Sequence, residues 1–142
     1  MENPTAVAQS LAQLRALGVK VALDDFGTGY SCLSMLHRLP LDVLKIDRSF
    51  VMELSNGEHD LAVIRTILGL AHSLRLSVVA EGIETEEQRN VLDALGCEFG
   101  QGYLFSHPVN AEVIESHLGH PGTSAASQFS VLEMAEECLQ LV

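Results

Sequence analysis

Two spacings of apolar residues trade places along this chain, one suited to helices and one to buried strands. Nearly continuous apolar runs lie at about 20–25, 42–47, 76–81 and 98–103, separated by stretches of helical periodicity. The first helix is predicted from Asn3-Pro4, a capping residue followed by the imino acid favoured in the first turn. Its stripe is Ala6, Leu11, Leu14 and Leu17, and Gly18 suits its C-terminal end. Residues 30–39 predict a short helix stopped by Pro40. Residues 58–74 predict a long amphipathic helix with Leu61, Ile64, Ile67, Leu68 and Ala71 at helical spacing. Thr85-Glu86-Glu87-Gln88 is a capping box, and the helix it opens ends at Gly96. Asn110 is expected to cap a last short helix reaching Gly119. Residues 121–129 have the composition of a linker, and 130–141 carry a second amphipathic pattern with Val131, Leu132, Ala135, Cys138 and Leu139 on one side. Packing on the domain and binding a partner are both open to that segment.

Helix and strand thus alternate four times, and Leu14–Gly18 before the first strand is echoed by Leu92–Gly96 before the fourth. Short connections and buried strands imply right-handed βα units in a parallel sheet. The C-terminal ends of parallel strands are where ligands and catalytic groups collect. Here those ends carry Asp24 and Asp25, Lys45, Glu81, and Gln101 between Gly100 and Gly102, in that order. Neighbours on a regular strand point to opposite faces. Asp24 and Asp25 can therefore serve one centre only if the strand ends there, and Phe26-Gly27-Thr28-Gly29 is expected to supply the turn. Converging carboxylates repel unless a cation or protons intervene, which predicts a divalent-metal site.

Plainer readings stand beside this one. The acid pair suits a helix-capping loop, Lys45 suits a structural salt bridge to Asp47, and Glu81 and Glu84 suit first-turn acids favoured by a helix dipole. Asp25-Phe26-Gly27 also matches the magnesium-binding triplet of protein kinases. No glycine-rich phosphate loop or HRD-like catalytic loop accompanies it, so that reading fails.

Composition narrows the partners. A chain of 142 residues fits one domain, and with five Phe, two Tyr and no Trp its core must be aliphatic. Nineteen acids against eight bases give a net charge of −11, which disfavours DNA and RNA backbones. An anionic substrate is still compatible, because bound metal reverses the local sign. Cys32, Cys97 and Cys138 include no CxxC pair and read as apolar residues of a reducing compartment. Of the six His, only His117 and His120 lie a helical turn apart, with no zinc signature around them. No apolar run has the length of a membrane span, so a cytoplasmic location without membrane insertion is expected.

Leu23-Asp24-Asp25-Phe26-Gly27-Thr28-Gly29-Tyr30-Ser31, Leu44-Lys45-Ile46-Asp47, Ala80-Glu81-Gly82-Ile83-Glu84 and Gln101-Gly102-Tyr103 together resemble the EAL-domain cyclic di-GMP phosphodiesterases. The resemblance covers roughly residues 3–118. It implies the second half of a TIM-like (β/α)8 barrel, with residues 1–120 as the C-terminal half of the domain and 121–142 as linker and C-terminal helix. It also implies hydrolysis of cyclic di-GMP to linear pGpG with two Mg²⁺ or Mn²⁺ ions. By motif match, Asp24, Asp25 and Glu81 are metal ligands, Lys45 positions the attacking water and Gln101 helps hold the metal-site waters. Glu84 then anchors the loop from Asp25 to Tyr30. The Glu-Ala-Leu motif that names the family, and the first-half asparagine and glutamate of the metal shell, do not occur at matching positions. The chain on its own is therefore expected to be inactive or very weak, and to form homo-oligomers or associate with the missing barrel half through its open sheet edges. The alternative is a non-catalytic module that binds cyclic di-GMP or a protein.

Overall fold

The computed structural model describes residues 4–27, 33–54, 58–111, 113 and 138–140. Helix α1 (Pro4–Ala16) leads into strand β1 (Lys20–Phe26), and α2 (Leu33–Arg38) into β2 (Val43–Ile46). Helices α3 (Arg48–Glu53) and α4 (Glu58–Ser73) precede β3 (Ser77–Ala80), and α5 (Glu86–Ala94) precedes β4 (Phe99–Gly100). A short strand β5 (Cys138–Gln140) completes the sheet, whose order is β4-β3-β2-β1-β5 with every pairing parallel.

Side chains alternate between the two faces of such a sheet. One face sends Val21, Leu44, Ile46, Val78 and Ala80 into the main core. They meet Leu11 of α1, Val51 of α3, Ile64, Leu68 and Ala71 of α4, and Leu92 of α5. Ile46, Val51, Ile64, Val78 and Leu92 are wholly buried, each contributing about 1.5–3 kcal/mol by leaving water. The other face carries a second small cluster of Ala22, Val43 and Val79 with Phe99. Burial on both faces explains why these strands read as continuous apolar runs.

Asp42 joins the foot of the sheet together. Its N–H donates to the Val21 carbonyl and its own carbonyl accepts from Ser77 N–H. Its Oδ2 accepts from Val21 N–H and its Oδ1 from Arg15 of α1, at 2.9 and 2.8 Å. The echoed segments prove to be equivalent helix ends. Gly18 and Gly96 both take left-handed backbone, and Val19 and Cys97 bond back to the carbonyls of Leu14 and Leu92.

Four expectations change. The α1 stripe is Val7, Leu11 and Leu14, because the helix ends at Ala16 and leaves Leu17 80% exposed in the turn. Helix α3 was not foreseen, although Asp47 before Arg48-Ser49 is a good N-cap. The fourth strand is only Phe99–Gly100, followed by Gln101, whose N–H donates to the Ala80 carbonyl and whose carbonyl accepts from Ile83 N–H. Residues 138–140, expected within a helix, form a strand beside β1, where parallel pairing satisfies an otherwise open edge. The rest of that predicted helix, the linker, Asn3, Cys32, His117 and His120 lie outside the described residues. No described helix is long and apolar enough to cross a membrane.

Candidate metal centre at the strand ends

The face that carries Ala22, Val43, Val79 and Phe99 continues, by alternation, through Asp24, Lys45, Glu81 and Gln101 at the C-terminal ends of the same strands. Regular pairing would send Asp25 to the opposite side. The ladder does not stay regular: Leu23 pairs with Leu44, but Phe26 pairs with Ile46, so β1 holds one residue more than β2 over this stretch. That is a β-bulge. Asp24 and Asp25 both lie opposite Lys45 in the ladder, and Asp25 takes φ +51° there. Its N–H donates to Asp24 Oδ1 at 3.2 Å. The sharp turn expected in Phe26-Gly27-Thr28-Gly29 thus begins earlier, at Asp25, while β1 runs on to Phe26.

Glu81 arrives differently. Its N–H extends the ladder to the Ile46 carbonyl, and Gly82 then turns the chain with φ +72°. Ile83 N–H donates to the Gln101 carbonyl, Gln101 N–H donates to the Ala80 carbonyl, and Leu104 N–H donates to the Ile83 carbonyl. Gly102 lies so close that a Cβ there would run into the Ile83 backbone. Behind this turn, the buried Gln88 accepts from Glu84 N–H and Thr85 N–H at 2.8 and 3.0 Å. Its Nε2 donates to the Val51 carbonyl of α3 at 3.3 Å. The capping box foreseen in the sequence is formed, and the same amide also ties the β3 loop to the helix that follows β2.

Lys45 is 8% exposed and pairs with Glu81 Oε1 at 2.6 Å and Asp24 Oδ1 at 3.0 Å. Burial alone would push its ammonium down. Hydrogen bonds and attraction from Glu81 and Asp24 outweigh that and leave it above the ordinary lysine value. Its partner is not Asp47, which instead caps α3 by accepting from Ser49 N–H. The Ser49 hydroxyl and N–H together hold the Asp47 carboxyl below the usual range.

Carboxylate oxygens of Asp24, Asp25 and Glu81 all lie within 4.8 Å of one another. Three hard oxygen donors fit Mg²⁺ or Mn²⁺ and do not fit a soft metal. The Gln101 and Glu84 side chains are exposed, and Glu84 is not one of the three clustered carboxylates. Of the loop from Asp25 to Tyr30 that Glu84 was expected to anchor, residues 28–30 lie outside the described residues. Gln88 was foreseen in the capping box and Asp47 as a partner of Lys45, but not the bond from Gln88 to the Val51 carbonyl nor the capping of α3 by Asp47. Cys97 is not one of the clustered groups: it is packed in the main core, burial pushes its thiol up to about 12, and its sulfur bonds to the Val78 and Phe99 carbonyls.

Known proteins share this fold. The chain is 49% identical over 118 residues to the cyclic di-GMP phosphodiesterase NbdA of Pseudomonas aeruginosa, covering 83% of this chain and 15% of NbdA. It superposes on the EAL domain of Mycobacterium smegmatis DcpA with TM-score 0.80 and 44% identity, over 84% of this chain and 53% of that one. Klebsiella pneumoniae BlrP1, solved with manganese and cyclic di-GMP, matches with TM-score 0.65 and 39% identity over 70% of this chain and 26% of its own. The chain therefore spans about half of the solved DcpA domain, and the EAL structures it matches are TIM-like barrels. The EAL domain model matches residues 1–108, the stretch that builds all four described strand ends of the site, and on that match the chain belongs to the EAL domain family.

Proposed function

We propose that this chain is the C-terminal half of a cyclic di-GMP phosphodiesterase domain, which in the complete barrel hydrolyses cyclic di-GMP to linear pGpG. The observation that carries this reading is the approach of Asp24, Asp25 and Glu81 to within 4.8 Å, with Lys45 buried between two of them. Those three carboxylates would hold Mg²⁺ or Mn²⁺. When bound, such an ion polarises the phosphate and lowers the pKa of water, the usual contribution of metals to phosphodiester cleavage. Asp25, the most exposed of the three, meets solvent and the incoming ion first. Lys45 fixes Asp24 and Glu81 in one orientation and stands ready to direct the attacking water. Gln101, at the next strand end, would order water at the rim. Glu84 would steady the loop after β1.

Half a barrel supplies only part of the family's ligand set, so the isolated chain binds better than it cleaves. The test is calorimetry with Mn²⁺, then with Ca²⁺ and cyclic di-GMP, beside a phosphodiesterase assay in Mn²⁺. Cation binding that weakens at least about tenfold in Asp24→Asn and in Glu81→Gln is expected, a loss of the size one charged ligand contributes. Turnover near 1 s⁻¹, roughly an ordinary enzyme rate, would defeat the claim that the half-domain is inactive. Absence of cation binding would defeat the reading of the cluster itself. Binding of cyclic di-GMP without cleavage that persists when the rest of an EAL barrel is supplied is the outcome that favours a receptor module.

A further inference from the structure

Three helices close in the same way, and one of them does so with an unexpected residue. After α1, α4 and α5 the backbone turns left-handed at residues 18, 75 and 96, and the next N–H bonds back to the carbonyl of Leu14, Ala71 or Leu92. Two of these positions are Gly18 and Gly96. The third is Arg75, at φ +60°, where a side chain crowds its own backbone. Glycine would fit this turn without crowding, so the turn does not call for an arginine.

The surroundings of Arg75 do. With Lys20 and His37 it lines a cavity of about 530 Å³ at the foot of the sheet. That volume falls within the range of small-molecule sites, roughly 300–1,000 Å³. Leu36, Leu41 and Leu76, all buried, give it an apolar floor. Asp42, the only acid on the lining among the described residues, is already met by Arg15 at 2.8 Å and by Val21 N–H. Lys20, His37 and Arg75 have no ion-pair partner among the described residues. Arg15, Lys20 and Arg75 are three of only eight Lys and Arg in a chain of net charge −11, and they gather at this one cavity. The clustered carboxylates stand at the opposite ends of the same strands.

We propose that this cavity is a second binding site, for a small phosphorylated molecule with an apolar part. The Arg75 fork and the Lys20 ammonium would grip the phosphoryl dianion, and the apolar part would lie on the leucine floor. A polymeric phosphate backbone does not suit the site, because it would extend past the cavity over an acidic surface.

Amide shifts of the full chain, titrated with phenyl phosphate at constant ionic strength and without added metal, test this. Leu41, Arg75 and Ser77 should shift and saturate, with Ala80 and Glu81 unmoved. Inorganic phosphate should bind about tenfold more weakly because it leaves the floor uncovered, and benzoate about tenfold more weakly for want of a second charge. Arg75→Gly should weaken phenyl phosphate binding at least about tenfold while melting no lower than the wild type, since glycine fits the turn. Arg65→Gln, at an exposed position of α4, controls for general charge and should bind as the wild type does. Shifts that never saturate, unchanged affinity in Arg75→Gly, or an equal loss in Arg65→Gln would overturn the site. Benzoate or inorganic phosphate binding as tightly as phenyl phosphate would overturn the proposed ligand. A lower melting temperature in Arg75→Gly would show that the turn needs its arginine and overturn the reason given for its presence.

Discussion

The first and third strand ends deliver acids to the same place by opposite means. At β1 the backbone itself is displaced: an extra residue enters the ladder and Asp25 accepts left-handed torsion, φ +51°. At β3 the strand stays regular, and Glu81 is held by its surroundings: the Ile46 and Gln101 carbonyls, the Gln88 amide and the tight approach of Gly102. One end is placed by register and the other by contacts. A register shift is fixed by the pairing of two strands, whereas a contact-held loop depends on several neighbours at once.

Substitutions at the two ends put that contrast at risk, most strongly at β3. Gly102→Ala forces a methyl into the Ile83 backbone and should cost about 3 kcal/mol of stability, read by urea denaturation, with weaker Mn²⁺ binding because Glu81 moves. A fully stable Gly102→Ala protein would remove the claim that contacts hold this end. Gln88→Leu strips the hydrogen bonds to Glu84, Thr85 and Val51 and should cost about 2 kcal/mol by the same measurement. Gln88→Glu keeps the acceptor and should lose less.

At β1 the expectation is a separation of stability from binding. Asp25→Gly adopts the left-handed backbone freely, so it should be about 1 kcal/mol more stable than Asp25→Ala, while both lose cation affinity alike. Equal stabilities would show that torsion is not what places this acid. The smallest effect belongs to β2, whose following helix is capped by Asp47. Asp47→Ala should cost about 0.5 kcal/mol, the low end for a cap that faces water. Because folding lowers the Asp47 pKa, its contribution is present above the ordinary carboxylate value of 3.8 and fades as pH falls through the folded-state value. Thermal melts of wild type and Asp47→Ala should therefore converge in acid.

Much of this was legible in the residues. Apolar runs and helical spacing located the four main strands and the long helix, because burial on both sheet faces leaves no other pattern open. The identities of Asp24, Asp25, Lys45 and Glu81 and the strand ends they occupy were legible too, since charge at the end of an apolar run has few structural uses. The bulge was not, because an extra residue is visible only against the partner strand's register. Nor was the choice of Lys45 between Asp47 and the carboxylates across the sheet, which depends on where α3 starts. Strand β5 escaped because its residues fit an amphipathic helix equally well, and pairing with a distant edge decided the matter.

Asp42 gives the three central strands a common zero mark. Counting upward from it, the lengths of β1, β2 and β3 dictate how far above the sheet each acid or lysine is raised. A rung lost or gained anywhere along those strands would lift one carboxylate out of reach of the others, even with every side chain at the mouth untouched. The chemistry at the rim is in this sense measured out from the opposite end of the molecule, by an aspartate that never meets it.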